Sequence, residues 1–492
     1  MNTLRRAPFA WRPVFTIAAA ELFVLVAFGN GYGYHRDELY FRVAARHPAF
    51  GYPDQPPLTP LLGRLSESLF GESPRGLRVV SALAMALTVV IVALIARELG
   101  GGRSAQTLAA VAAAVSGLVP ALGHIVSTAT FDFLAWLVVL LLVTRILGGG
   151  DRRQWLAVGA VVGVSLQNKQ LVLLLCAALA VGIGAARRWD VLRTPWLPLG
   201  VVIAVAFSLP NLVWQAGHGW PQLELAEDIA SESPGENRLL LVPFQFLAAG
   251  LPLAPLLVVG LVRLLTHGDT RPFRALAYGY LALLALCLLT AAKPYYASPY
   301  SVALLAPGAI AAVGWAAGRG RRTALLVAGC VASAALSLVL TQPVVPVGDL
   351  HASPAVAVNE DMIETVGWPE LADAVDRVAD RLPPAERRRA VVFTDNYGEA
   401  GALARYGPDR GLPPVYSGHN GFGDWGPPPD GAAPVIVVGR FQLESFDGCR
   451  RVVAFDNGVD LDNEEQGVPI SVCAGPRRPW SEVWPELTFL SA

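Results

Sequence analysis

Charge is scarce in this 492-residue chain: 16% of its residues are Asp, Glu, Lys or Arg, where an average soluble domain carries about a quarter. Several familiar motifs are also missing. There is no G-x-x-x-x-G-K-[ST] phosphate loop, no H-E-x-x-H, no C-x-x-C and no G-x-S-x-G elbow, which removes the standard signatures of nucleotide, zinc-protease, thiol-redox and serine-hydrolase chemistry. The net charge of −1 says nothing about nucleic acid, but no basic tail is present, and no nucleic-acid partner is expected. Cysteine is sparse too. Cys176, Cys287 and Cys330 lie in apolar runs and read as small core residues. Cys449 and Cys473 lie in a more polar tail; they can pair there if the tail sits in an oxidising compartment.

What the chain has instead is apolar length. Long runs such as Val79–Ala96, Phe133–Leu147, Val201–Leu209, Leu253–Leu265 and Leu276–Ala292 fill residues 1–341, whereas 342–492 are rich in Asp, Glu, Arg, Pro and Gly. The expected organisation is therefore a polytopic helical membrane domain over 1–341 and a soluble domain over 342–492. A spanning helix needs about 20 apolar residues. That criterion selects 14–30, 77–97, 105–123, 130–147, 155–167, 170–186, 196–213, 241–264, 274–292, 298–316 and 323–341, about eleven spans. The fifth and sixth are short and flank only Asn168-Lys169, so they can also be re-entrant. The first follows Arg5, Arg6 and Arg12 but lacks a small-residue cleavage site, so it reads as an uncleaved helix.

Arginine sets the orientation. If the N-terminus is cytoplasmic, the cytoplasmic connections hold Arg97/Arg103, Arg145/Arg152/Arg153, Arg187/Arg188/Arg193, Arg263/Arg271/Arg274 and Arg319/Arg321/Arg322. Beyond the first loop, the opposite connections hold only Lys169, Arg238 and Lys293. The tail then lies outside the cytoplasm, on the same side as the first loop, 31–76. The tail itself reads as a small α/β domain: helices over 368–382 and 398–407, and strands over 390–394, 434–439 and 451–455, implying a parallel or mixed sheet. Its loops NYGEAG and YSGHNGFGDWGPPP suit either polyol contacts or plain turn chemistry.

The outward side also collects the polar residues. Asp37 and Glu38 open an amphipathic stretch to Arg46, followed by Tyr52-Pro-Asp-Gln55-Pro-Pro; Asp132 sits at the outer end of the fourth long run. A carboxylate at the membrane surface can deprotonate a docked hydroxyl, although Asp37 also suits the N-terminus of a helix dipole. Glu38 faces another way and reads as orienting Asp37 or a bound group. Asp132 reads equally as an acid in a capping region. Lys169, between two apolar runs, either snorkels to the surface or holds a lipid phosphate as a point charge. Arg238 and Lys293 are weaker candidates for that phosphate, and Tyr52, Tyr295 and Tyr296 can donate to it or serve as interfacial aromatics.

Taken together, Asp37-Glu38-Leu39-Tyr40, Gly51-Tyr52-Pro53-Asp54-Gln55-Pro56-Pro57-Leu58, Phe131-Asp132, Gln167-Asn168-Lys169 and Lys293-Pro294-Tyr295-Tyr296 resemble glycosyltransferase family 39. That group holds the protein O-mannosyltransferases and the lipid A aminoarabinose transferase and has the GT-C membrane fold; the resemblance covers roughly 14–316. It implies inverting transfer of a sugar from a polyprenyl-phosphate donor to a hydroxyl-bearing glycan, lipid or protein acceptor on the extracytoplasmic face of the cell membrane. Asp37 matches the family's base and Asp132 its second acid. Tyr52 and Lys169 match positions lining the donor phosphate. Gln55 stands where the lipid A enzyme has lysine, so phosphate charge must be met by Lys169, Arg238 or Lys293, or the donor differs. No metal or cofactor is expected.

Two other readings stay open. A transporter or flippase of lipid-linked sugars predicts mid-bilayer ionisable groups and inverted repeats; Glu21 is a mid-span acid, but no repeat is visible. A cell-envelope assembly protein with a degenerate transferase fold leaves the tail as its working part.

Overall fold

The computed structural model describes residues 6–440 and 442–491; Arg5 lies outside them. The chain divides into two compact units, one comprising residues up to 29, 78–217 and 230–342, the other 30–77, 218–229 and 343–492.

The first unit is built of apolar helices. Each of the eleven expected apolar stretches is helical, but among the described residues seven helices have the length and hydropathy to cross a membrane, or eight if one bent pair counts as a single span. The expectation of about eleven spans is corrected for local physical reasons. The stretch 105–123 is broken into Arg103–Ala114 and Leu118–Gly123, and at the break Gly117 N–H bonds Ala248 O instead of its own helix, at 3.1 Å. Helices Gln154–Leu166 and Val172–Ala185 hold 13 and 14 residues, about 20 Å each and short of a 30 Å hydrocarbon core. The pair Pro234–Ala248 and Leu251–Thr266 bends by 84°, at Gly250 (φ +84°) followed by Pro252, a left-handed glycine next to a residue that cannot donate.

Helices of this unit approach through small residues, which membrane interfaces favour because they let backbones close together. A methyl group on Gly159 would lie 2.0 Å from Gly200 O, and one on Gly182 would lie 2.2 Å from Ala275 O. Trp136, Leu137 and Val139 are fully buried between the helices.

The second unit joins the first loop to the tail. Its sheet contains β1 (Val391–Thr394), β2 (Val415–Ser417), β3 (Val435–Val438), β5 (Arg450–Ala454) and β6 (Pro469–Cys473). The order is β2-β1-β3-β6-β5, and β4 (Phe446–Asp447) pairs with β7 (Gly475–Pro476). Strand β1 runs parallel to β2 and β3, whereas β6 is antiparallel to β3 and β5, a mixed sheet. Strands β1 and β3 are buried throughout, as their unbroken Val/Ile/Phe composition requires of strands covered on both faces. The helix Trp368–Ala379 carries the expected amphipathic pattern and buries Trp368, Leu371, Val375 and Val378.

The loop helix, Arg36–Ala44, packs on the tail helix, Tyr397–Tyr406. The contact depends on two glycines: a Cβ on Gly401 would sit 2.9 Å from the Leu39 backbone, and one on Gly398 would sit 3.0 Å from Arg36 Cβ. Upstream, Tyr32 donates its hydroxyl to Val345 O at 2.6 Å, and Gly33 (φ +113°) packs on the Thr365 carbonyl. Arg42 is buried between Tyr34, Glu67 and Glu72.

Cys449 and Cys473 are joined by a disulfide that links residues 24 positions apart. A crosslink of that reach stabilises by about 3 kcal/mol through the unfolded chain. The Cys449→Ser/Cys473→Ser variant is therefore expected to lose about that much, measured as roughly hundredfold faster amide hydrogen exchange in β5 and β6.

Candidate functional site

In the second unit, Asp37 occupies the first turn of the loop helix and is about one-third exposed (side chain 34%). Tyr397, in the first turn of the tail helix, donates its hydroxyl to Asp37 Oδ1 at 2.9 Å. His35 caps the loop helix: its Nδ1 accepts from Asp37 N–H at 3.2 Å, and its Nε2 lies 3.2 Å from Glu364. Arg36 is held by Glu364, Glu464 and Glu465 and lies over the Tyr397 ring. The base candidate is thus flanked by groups from both the loop and the tail.

Glu38, by contrast, is fully buried and turns back to accept the His35 N–H at 2.8 Å. It completes a capping box, the reciprocal arrangement that satisfies the orphan donors of a helix start. The tail helix begins the same way. Asn396 accepts from Glu399 N–H at 2.8 Å, and Glu399 accepts from Asn396 N–H at 3.3 Å. The NYGEAG segment therefore serves as a cap and a packing face. In the second loop, His419 and Asn420 bond Ser491, while Trp425 stacks on His47 at 4.5 Å.

Tyr52 spends its hydroxyl on the loop backbone, at Ala44 O and His47 O, 2.9 and 3.1 Å. Gln55 is buried at 4% exposure, and neither its amide nitrogen nor its amide oxygen has a hydrogen-bond partner among the described residues. Sequence reasoning passed over its neighbour Asp54 and over Tyr40. Tyr40 donates to Asp54 Oδ1 at 2.5 Å and accepts from Gly421 N–H at 3.1 Å. Part of Asp54's surface reaches solvent, but its carboxyl lies deep; burial, with the charges of Asp37 and Asp424 adding to it, pushes the group up to about 7 despite the Tyr40 bond. The signal for Asp54 was its place in the Pro-rich YPDQPP turn. Tyr397 had none, being 360 positions from Asp37.

The remaining candidates lie in the first unit. Asp132 is buried in the helix Thr128–Leu147, where Ser165 Oγ donates to it at 3.3 Å. Lys169 donates to the Tyr295 hydroxyl at 3.1 Å, and its ammonium lies 5.3 and 5.5 Å from the ring centres of Tyr295 and Tyr296. Gln245 fixes that turn by donating to Pro294 O at 2.8 Å and accepting from Ser301 at 2.8 Å. Lys293 pairs with Glu232 at 3.5 Å. Arg238 is exposed and donates to Leu288 O at 3.0 Å, capping the end of the helix Arg274–Thr290. Of the 38 basic residues only two are lysines, Lys169 and Lys293; arginine serves everywhere else.

Residues 54–214 match the family of dolichyl-phosphate-mannose-protein mannosyltransferases. That stretch is about a third of the chain and contains the Phe131-Asp132 and Gln167-Asn168-Lys169 motifs. Two structures of ArnT from Cupriavidus metallidurans are similar over nearly the whole chain. The form bound to undecaprenyl phosphate is 17% identical, with a TM-score of 0.61 over 96% of this chain and 100% of that one. The apo form is also 17% identical, with a TM-score of 0.58 over 95% and 99%. At that identity the likeness is one of fold, the GT-C fold of membrane glycosyltransferases. No curated protein matches the sequence significantly.

Asp54 gives a pH prediction. Its folded-state value lies above the unfolded one, so the folded protein favours the proton, and the associated stability is present at low pH and lost as pH rises towards 7. Asp54→Asn, which stays neutral, is expected to be more stable than the native chain at about pH 8, less so at about pH 5, and no more stable below about pH 4. Thermal unfolding of the two proteins across that range checks it.

Proposed function

We propose that this membrane protein transfers a sugar from a polyprenyl-phosphate donor to a hydroxyl acceptor on the extracytoplasmic face, with inversion. The observation that carries the reading is Asp37, a part-exposed carboxylate held from both sides at a helix start, in a chain whose family and fold are those of membrane glycosyltransferases. ArnT, similar along its full length, is known bound to undecaprenyl phosphate, which supports a lipid-phosphate donor here.

In this mechanism Asp37 takes the proton of the acceptor hydroxyl as the oxygen forms its bond to the anomeric carbon. The bond from that carbon to the donor phosphate oxygen breaks on the opposite face, and the polyprenyl phosphate departs with the electron pair. Lys169, already donating to Tyr295 and lying over two tyrosine rings, meets the charge growing on the phosphate. The family resemblance gives Asp132 the part of second acid. Glu38 acts through the helix cap, orienting Asp37 without touching substrate. The buried, unpartnered amide of Gln55 offers both a donor and an acceptor to sugar hydroxyls. Anchoring the donor in the bilayer supplies proximity, so little protein need grip the sugar. The Cys449–Cys473 disulfide supports an extracytoplasmic tail, since such bonds persist in oxidising compartments.

Membranes supplied with radiolabelled prenyl-phosphate sugars test the reading. The native chain is expected to label a product, and Asp37→Asn to lose about a hundredfold or more of that rate while still binding donor. Lys169→Gln is expected chiefly to weaken use of the donor. Equal transfer by native and Asp37→Asn proteins would remove Asp37 from the chemistry.

A further inference from the structure

The reaction so far assigns the tail no part. Its N-terminal helix turn, however, reaches the reacting carboxylate. Tyr397 Oη–H donates to Asp37 Oδ1 at 2.9 Å, and several independent contacts place that hydroxyl. The ring packs between Tyr40 and His419, with centroids at 5.2 and 4.9 Å, and Arg36 lies over it at 5.3 Å. Its backbone N–H donates to His419 Nδ1 at 3.3 Å, and His419 is held in turn by Ser491 at 2.9 Å. Gly398 and Gly401 let the whole turn close on the loop helix.

We propose that Tyr397 is a positioning residue for the base: its hydroxyl fixes one oxygen of Asp37 and leaves Oδ2 turned to the acceptor. This inference rests on the transferase reading. It makes the soluble domain part of the catalytic apparatus, supplying orientation to a carboxylate that the first loop supplies. Burial, and after it the negative charge of Asp37, holds the Tyr397 phenol well above its usual range, so it stays a neutral donor. A carboxylate bonded through one oxygen keeps a fixed direction, and proton transfer is sensitive to direction at that distance. No other side chain donates a hydrogen bond to Asp37 among the described contacts; His35 Nδ1 lies 4.0 Å from Oδ2 and accepts the backbone N–H.

Tyr397→Phe keeps the ring, its stacking and its backbone bond, and removes one hydroxyl. In the full-length protein it is expected to lower kcat about tenfold with KM for the prenyl-phosphate donor and the melting temperature unchanged. A second readout does not require turnover. Water-soluble carbodiimide with an amine nucleophile modifies accessible carboxyls, and peptide mass spectrometry measures modification at Asp37; loss of the Tyr397 bond is expected to raise it about fivefold. Unchanged kcat together with unchanged labelling overturns the inference. A fall in kcat accompanied by a lower melting temperature or a raised donor KM also overturns it, because a merely structural tyrosine does that. If the native chain transfers no sugar from any donor, the transferase reading fails, and the labelling comparison still decides whether Tyr397 governs the Asp37 carboxylate.

Discussion

Two helix starts facing each other organise the second unit of this protein. The loop helix and the tail helix meet through Gly398 and Gly401, where even a methyl group would collide with Arg36 and Leu39. Each helix closes its own N-terminus with a capping box, using Glu38 and Glu399 respectively. With the caps made by Glu38 and Glu399, the first-turn side chains Asp37 and Tyr397 meet each other. Removing the close approach would separate a carboxylate from its donor without touching either residue.

The same logic assigns the neighbouring acids different duties. Glu38 and Glu399 are consumed by caps, Glu364, Glu464 and Glu465 surround Arg36, and Asp54 is held near-neutral by burial with Tyr40 as its donor. Separating carboxyl groups by environment in this way is how one site keeps distinct acid and base roles. Asp37 keeps a third of its side chain exposed. In the membrane unit the choice of lysine at 169, in a chain with only one other lysine, fits a compact point charge stacked on tyrosines rather than a forked bidentate clamp.

Much of this was legible in the sequence, for reasons that differ by element. The apolar stretches announced their helices through length and composition, and the loop helix was placed within a residue or two of Arg36–Ala44. Strands β1 and β3 were visible as continuous Val/Ile/Phe runs, while β2 and β6 were not, being three and five residues with Pro or Ser interrupting them. Span counting overshot because apolar composition does not report a break at Gly117 or an 84° bend at Gly250. Lys169 stood out as a charge between two apolar runs, and Asp37 as an acid in the polar loop just outside the first apolar helix. The partnership of Asp37 with Tyr397 did not, since no local pattern encodes a contact across 360 positions, and the two glycines that permit it read as ordinary turn residues.

The account centres on a single carboxylate acting as a base in one displacement. The anomeric configuration of the transferred sugar tests this most directly, read from the one-bond carbon–proton coupling at the anomeric centre of the product and of its donor. Inversion is the predicted result, since Asp37 activates the acceptor and forms no bond to the sugar. Retention would contradict the account, because a single displacement from the face opposite the leaving phosphate inverts the anomeric carbon.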